Sequence, residues 1–302
     1  MRVMLLLVTL SGSGLAALVA DVRAALAQDD FQKAESLLSE FRKQHGVTPE
    51  WLEAYSWLGR GALARKRYDE AERYAAETRR MCLDALQTRG LDDEPRLPIA
   101  LGASIEVQGQ LLAARGQRSE GVSFLRQELA AWRNTSIRAR IQKNIHLLTL
   151  EGQPPPPLEI KEWLGPKPRP LSSLKGKTVL LFFWAHWCPD CKAQGPVLAQ
   201  LLEKYAGRGL VIVGPTQRYG YTARGTEATP AQEKLYIEEI RRQHYAMLGE
   251  MSVPLSEENF RVWGCSTTPT LVLVDRNGLV RLYHPGKMAY EELARAVEST
   301  LP

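Results

Sequence analysis

The chain has 302 residues, of which 44% are hydrophobic and 24% are charged. This length corresponds to about two domains of the usual ~100–200 residues, and the composition excludes an intrinsically disordered or a collagen-like protein. Four cysteines are too few for a small scaffold held together by disulfides. The formal net charge is +5, but the basic residues alternate with acidic ones along the chain, so no nucleic-acid partner is expected.

Residues 1–20 have the composition of a targeting segment. Arg2 precedes an apolar run and then small residues, and no further charge occurs before Asp21. This order is typical of a secretory signal, with cleavage expected between about Gly14 and Ala20. Two alternatives stay open, namely an uncleaved membrane anchor and a first amphipathic helix without any targeting role. The segment therefore predicts a periplasmic or secreted bacterial protein, anchored to the membrane if the segment is retained.

Residues 21–150 predict an all-α helical domain, because apolar residues recur there at helical spacing. Small residues recur at one fixed interval, as Gly59 with Ala71 and as Gly109 with Gly121, and Ala34 marks a weaker earlier copy. This pattern resembles tetratricopeptide repeats. The resemblance implies about three stacked helical hairpins, a closing helix near residues 136–150, and a groove for a protein or peptide ligand. The alternative is a plain helical bundle without a binding groove.

A proline-rich stretch, residues 151–157, ends the predicted helices. Four consecutive prolines cannot donate the amide hydrogen bonds of a helix and favour a stiff, extended chain. We therefore predict a linker here, with a second domain over residues 158–302.

The second domain contains a pair of cysteines in an informative setting. A continuous apolar run at residues 178–184 predicts a buried strand, and it leads into Cys188-Pro189-Asp190-Cys191 at the start of a predicted helix. Cysteines three positions apart in the first turn of a helix can form a disulfide. The free amides and the dipole at the helix N-terminus favour a thiolate at Cys188. The thiolate is the attacking species in disulfide exchange, and Cys191 would resolve the mixed disulfide.

The residues Phe183-Trp184-Ala185-His186-Trp187-Cys188-Pro189-Asp190-Cys191-Lys192 resemble the thioredoxin superfamily and, within it, the TlpA/ResA-like extracytoplasmic thiol–disulfide oxidoreductases. The resemblance implies an α/β thioredoxin-like fold with a central mixed sheet. It implies that Cys188 is the nucleophile, that Cys191 is the resolving thiol, and that the redox-active disulfide is sufficient without another cofactor. Pro269 would be a cis-proline, and the implied substrate-contacting residues are Trp187, Pro189, Thr268 and Pro269.

Two further residues are expected to modulate the thiolate. The negative charge of Asp190 should oppose thiolate formation at Cys188. A protonated His186 would favour the thiolate, whereas an alternative places the His186 side chain in solvent at the rim of the site. A metal site built from His186, Cys188, Cys191 and Cys265 is a further alternative, but the spacing is that of a redox pair and no metal is predicted.

Several positions depart from the thioredoxin pattern. Phe182 stands where classical thioredoxins carry a buried Asp, so proton transfer at Cys191 would need water or another group, such as a Glu elsewhere. An insert at residues 217–229 is expected to be either a mobile, substrate-facing loop or a surface elaboration. Cys265 is either a third thiol near the pair or a packed side chain, and Cys82 is expected in the helical core.

These features predict a thiol–disulfide oxidoreductase that acts as an extracytoplasmic reductant and whose helical domain docks a partner. Its expected partners are protein thiol or disulfide clients and a membrane or soluble electron donor. The alternative function is an interaction scaffold with little redox activity. The enzymatic hypothesis requires that Cys188 be accessible to solvent at the tip of its helix.

Overall fold

A computed structural model describes residues 17–302, which fall into two compact units that divide between residues 137 and 138. Most of the predicted targeting segment, residues 1–20, lies outside the described residues. Residues 17–20 begin the first helix.

The N-terminal unit is built from helices that pack in sequential pairs. Among residues 17–137, its α-helices are α1 (Ala17–Ala27), α2 (Phe31–His45), α3 (Pro49–Ala64), α4 (Tyr68–Ala85), α5 (Arg96–Ala114) and α6 (Arg118–Ala131). α5 contacts α3, α4 and α6. By length and composition α5 could span a membrane, but most of its apolar surface is buried within the unit, including Leu97, Leu101 and Ile105. Its apolar character is therefore explained by its central position among the other helices.

The predicted small residues lie where paired helices approach closely. A Cβ at Gly121 would lie 2.8 Å from the carbonyl oxygen of Gly109, and Ala34 and Ala71 are fully buried. The helical array is confirmed. Its assignment to the tetratricopeptide class stays a prediction.

Helix α7 (Arg138–Thr149) belongs to the C-terminal unit. The backbone of Gly264 lies against the backbone of Lys143, and the His146 Nε2 lies 2.9 Å from the Val262 carbonyl oxygen. The sequence analysis expected this helix to close the N-terminal array, but these close contacts attach it to the C-terminal unit.

The proline-rich stretch is also attached to the C-terminal unit. The amide of Gly152 donates to the carbonyl of Val280 at 2.8 Å, and the amide of Val280 donates to the carbonyl of Gln153 at 2.9 Å. The indole of Trp263 donates to the carbonyl of Pro157 at 3.3 Å. The compact units consequently divide before α7, and not at residues 151–157.

The C-terminal unit has an α/β thioredoxin-like fold. Its strands are β1 (Trp163–Leu164), β2 (Thr178–Phe183), β3 (Leu210–Val213), β4 (Val253–Pro254), β5 (Thr270–Val274) and β6 (Val280–Pro285), and its remaining helices are α8 (Pro189–Tyr205), α9 (Pro230–Tyr245), α10 (Glu257–Val262) and α11 (Tyr290–Glu298). The main sheet has the order β3-β2-β5-β6. β2 and β3 are parallel and the other neighbours are antiparallel, which confirms the predicted mixed sheet.

The central strand β2 is buried on both faces of the sheet. Leu180 and Phe182 join one core cluster with α8, α9 and α11, whereas Leu181 and Phe183 join a second cluster with Phe260 of α10. Burial on both faces explains why the sequence of β2 shows no polar alternation. Because both faces of β2 are packed, its carboxyl end gives the following cysteine turn a fixed position.

Helix starts in this unit follow local sequence signals. Thr229, Pro230 and Gln232 form the capping box and first-turn proline of α9. α8 begins at Pro189, so Cys188 is its N-cap residue and Cys191 lies in its first turn.

Candidate active site

The cysteine turn is positioned by the end of β2. The indole of Trp184 is buried and donates to the carbonyl of Gly214 at 2.9 Å, which anchors the chain as it leaves the strand. Cys188 is the N-cap residue of α8, and its Sγ accepts a hydrogen bond from the amide of Cys191 at 3.1 Å. Because the free N–H donors at a helix N-terminus and the helix dipole both stabilise negative charge, this position favours a thiolate once the disulfide is reduced.

Cys188 and Cys191 form a disulfide with a Cα–Cα distance of 5.3 Å. Cys191 is fully buried and Cys188 is 2% exposed, while Trp187 beside it is 46% exposed and Pro189 is also exposed. The turn therefore lies at the surface, but the sulfur of Cys188 is largely covered in this oxidised form. The open sulfur that the sequence analysis required is not observed here.

The loop before β5 faces the disulfide. The Thr268–Pro269 peptide bond is cis, as the resemblance implies, and the carbonyl oxygen of Thr268 lies 3.4 Å from the Sγ of Cys188. The carbonyl of Pro269 accepts a hydrogen bond from the amide of Gly286 at 2.7 Å. The structure thus brings the two cysteines together with Thr268 and Pro269.

A second loop is attached to the first turns of α8. The Lys287 Nζ donates to the Oδ1 of Asp190 at 2.9 Å, and both side chains are exposed. The amide side chain of Gln194 exchanges two hydrogen bonds with the backbone of Met288, at 2.9 Å and 3.2 Å. Asp190 is therefore paired with a cation, which the sequence analysis did not foresee.

His186 is buried, contrary to the alternative that placed it in solvent. It is 1% exposed, and its ring meets those of Tyr219, Tyr221 and Tyr236 edge-on at centroid distances of 5.3–5.4 Å. Burial lowers the pKa of His186, although a hydrogen bond to Glu233 acts in the opposite direction. The ring is therefore neutral near pH 7 and does not supply the positive charge that was expected to favour the Cys188 thiolate.

Glu233 is a buried carboxylate that sequence reasoning missed. It lies in the first turn of α9 at 1% exposure, and its Oε1 lies 3.1 Å from the Nε2 of His186. In the sequence, Glu233 is marked only by its position directly after the capping box of α9, where side chains are usually exposed. Its hydrogen bonds connect it to His186 and to the backbone of Tyr219 and Gly220.

The remaining candidate residues, Phe182, Cys82 and Cys265, are buried, and no reactive role is assigned to them. Phe182 is fully buried against Tyr245, so an aromatic ring occupies the place of the absent carboxylate. Cys82 and Cys265 form no disulfide, and burial raises the pKa of Cys82 to about 12 and that of Cys265 well above its ordinary value. Within residues 17–302, no cluster of three or more His, Cys, Asp or Glu side chains is suited to hold a metal ion.

A mixed sheet, a disulfide at a helix N-terminus and a cis-proline loop opposite it define the class of the thioredoxin-like thiol–disulfide oxidoreductases. Comparison with known proteins agrees with this class. Residues 152–283 match the sequence model of the AhpC/TSA family.

The similar proteins are thiol–disulfide oxidoreductases and thioredoxin-like proteins. The thiol–disulfide oxidoreductase ResA of Geobacillus thermodenitrificans is 24% identical over 132 residues, which are 44% of this chain and 68% of ResA. The thioredoxin-like protein YneN of Bacillus subtilis is 24% identical over 148 residues, 49% of this chain and 79% of YneN. A crystal structure of a putative thiol:disulfide interchange protein DsbE from Chlorobium tepidum is 26% identical, with a TM-score of 0.39 over 50% of this chain and 96% of that one. The C-terminal unit is thus similar in sequence to thiol–disulfide oxidoreductases and thioredoxin-like proteins.

Proposed function

We propose that the protein exchanges disulfides with protein clients through Cys188 and Cys191. The observation that carries this proposal is the Cys188–Cys191 disulfide at the N-terminus of α8, with the Thr268 carbonyl 3.4 Å from the Cys188 sulfur. Trp187, Pro189 and the Thr268–Pro269 loop surround the pair and are the proposed client contacts.

The proposed reaction is a two-electron reduction of a client disulfide. The Cys188 thiolate attacks one client sulfur, the client S–S bond breaks, and the departing client sulfur leaves as a thiolate that takes up a proton. Cys191, after losing its proton, then attacks the Cys188 sulfur and releases the second client thiol. The client gains two thiols, the protein regains its Cys188–Cys191 disulfide, and an external dithiol donor must reduce it again.

The direction and compartment of this reaction are part of the proposal. The apolar segment after Arg2 supports export, so the protein would act as an extracytoplasmic reductant supplied by a membrane or soluble donor. The N-terminal helical unit would dock the client or another protein. Fusion of residues 1–30 to a reporter enzyme that is active only outside the cytoplasm should yield activity, and an inactive fusion would refute export.

A trapping experiment tests the proposed roles of the two cysteines. We expect Cys191→Ser to accumulate mixed disulfides with clients, because the resolving thiol is missing. Cys188→Ser is the matched control and should capture none. The wild-type chain, once reduced, should also reduce a model protein disulfide such as that of insulin.

An interaction scaffold is the second candidate, and the 2% exposure of Cys188 favours it. A scaffold would leave the disulfide unreactive toward clients and donors. If neither cysteine variant captures a protein and the wild type does not reduce insulin, the scaffold function replaces the enzymatic one.

A further inference from the structure

The insert at residues 217–229 is anchored by a buried carboxylate. Glu233 accepts hydrogen bonds from the amide of Tyr219 at 2.6 Å and from the amide of Gly220 at 2.9 Å. Within the insert, the amide of Thr222 donates to the carbonyl of Thr226 at 2.8 Å. A buried carboxylate is costly unless its oxygens are hydrogen-bonded, so these bonds favour one position of the insert.

The same carboxylate reaches the cysteine turn through His186. The Nε2 of His186 lies 3.1 Å from the Oε1 of Glu233, and the Nδ1 has no hydrogen-bond partner among the described residues. A neutral ring in this setting donates its Nε2–H to the carboxylate. Glu233 therefore binds the insert on one side and the segment that precedes Cys188 on the other.

An aromatic contact completes the connection at the surface. Tyr219 of the insert meets the ring of His186 at 5.4 Å, and it meets the ring of Trp187 edge-on at 5.5 Å. Trp187 is adjacent to Cys188 and is the most exposed aromatic side chain of the turn. Any displacement of the insert consequently changes the support of Trp187.

We propose that Glu233 and His186 are positioning residues that hold the insert against the cysteine turn and fix Trp187 beside Cys188 for reaction with protein clients. This inference rests on the proposed oxidoreductase function. A small disulfide reagent needs only the sulfur, whereas a polypeptide must also fit the surface around it. Glu233 and His186 should thus affect the rate of reduction of protein disulfides strongly and that of small disulfides much less.

The test compares two substrates in the full-length chain. Glu233→Ala should lower the rate constant for reduction of insulin at least about tenfold, because a poorly oriented contact surface weakens productive encounters. The rate with 5,5′-dithiobis(2-nitrobenzoic acid) should stay within about twofold, since this small reagent does not need that surface. Glu238→Ala, on the same helix but paired with Arg241 and Arg242, is the matched control and should change neither rate.

A structural measurement accompanies the kinetics. In Glu233→Ala the amides of Tyr219 and Gly220 should exchange hydrogen with solvent faster than in wild type, because they lose their acceptor. Tyr219→Ala keeps Glu233 and should reproduce the insulin defect, which protects the test if Glu233→Ala folds poorly.

Three results would overturn the inference. They are equal losses with both substrates, an unchanged insulin rate, and unchanged exchange at both amides. If the wild-type chain reduces neither substrate, the proposed oxidoreductase function itself has failed, and this outcome is distinct from a defect limited to the variants.

Discussion

Asp190 places a negative charge next to the cysteine pair, and Lys287 compensates it. The two side chains lie 2.9 Å apart and are both exposed, so water and salt screen their interaction. Cys188 nevertheless lies near an oppositely charged Asp190–Lys287 pair, and not near an isolated carboxylate. The expected opposition of Asp190 to a thiolate stays a prediction, and Lys287 should weaken it.

Removal of Lys287 should make Cys188 a weaker acid. In a Cys191→Ser background, Lys287→Ala should move the pH profile of Cys188 alkylation upward by a few tenths of a pH unit, and Asp190→Asn should move it downward. Both shifts should vanish at about 1 M salt, where screening extends over only ~3 Å. A shift with Asp190→Asn but none with Lys287→Ala at low salt would show that the pair does not act on the thiolate.

At the scale of elements, α5 and α6 pack through two glycines. A Cβ at Gly121 would lie 2.8 Å from a backbone oxygen, which cannot move without shifting a helix. Gly59 corresponds to Gly109 in the repeat pattern, but the two positions differ. A Cβ at Gly59 would meet its nearest atoms at 3.6 Å, whereas a Cβ at Gly109 would lie 2.7 Å from the side chain of Leu125. The repeated small residues are thus equivalent in sequence but not in packing.

Gly121→Ala and Gly59→Ala should therefore have opposite effects. Gly121→Ala should lower the free energy of unfolding of the N-terminal unit by about 1–3 kcal/mol, because the helices must separate. Gly59→Ala should raise it by about 0.5–1 kcal/mol, because alanine favours the helix and fits the space. Urea unfolding followed by circular dichroism measures both, and a stabilising Gly121→Ala would contradict the close contact.

At the scale of the whole molecule, buried histidines link folding stability to pH. Burial lowers the pKa of His146 and of His186, so both are neutral in the folded chain near neutral pH. In the unfolded chain histidine titrates near its ordinary value of about 6.5. Below that pH the unfolded state binds protons that the folded state does not, and the free energy of unfolding falls.

We expect the C-terminal unit to be less stable at pH 5.5 than at pH 7.5. Stability from His146 is complete above about pH 6.5 and is lost as the pH falls toward the lower folded-state pKa. His146→Gln should reduce this pH dependence, because it removes a buried group that titrates in the unfolded chain. Urea titrations at the two pH values measure the free energy of unfolding. An equal change in this free energy between pH 7.5 and pH 5.5 for wild type and His146→Gln would contradict the proposed contribution of His146.

Much of the architecture could be read from local patterns. The apolar run at β2 and the Cys188–Cys191 spacing each depend on neighbours in the sequence, and each was predicted. The helical spacing over residues 21–150 likewise predicted the helical array. Periodicity and helix-end chemistry act over a few residues, so the sequence displays them directly.

Patterns along the chain predicted a helical array and a dithiol at a helix N-terminus, and the family resemblance implied the mixed sheet. The folded chain was needed to show that α7 packs against Gly264 and that the Cys188 sulfur is covered. It was also needed to show that His186 is buried on Glu233 and that Lys287 reaches Asp190. These contacts join residues far apart in the chain, and their energies depend on burial and distance, which no local pattern encodes.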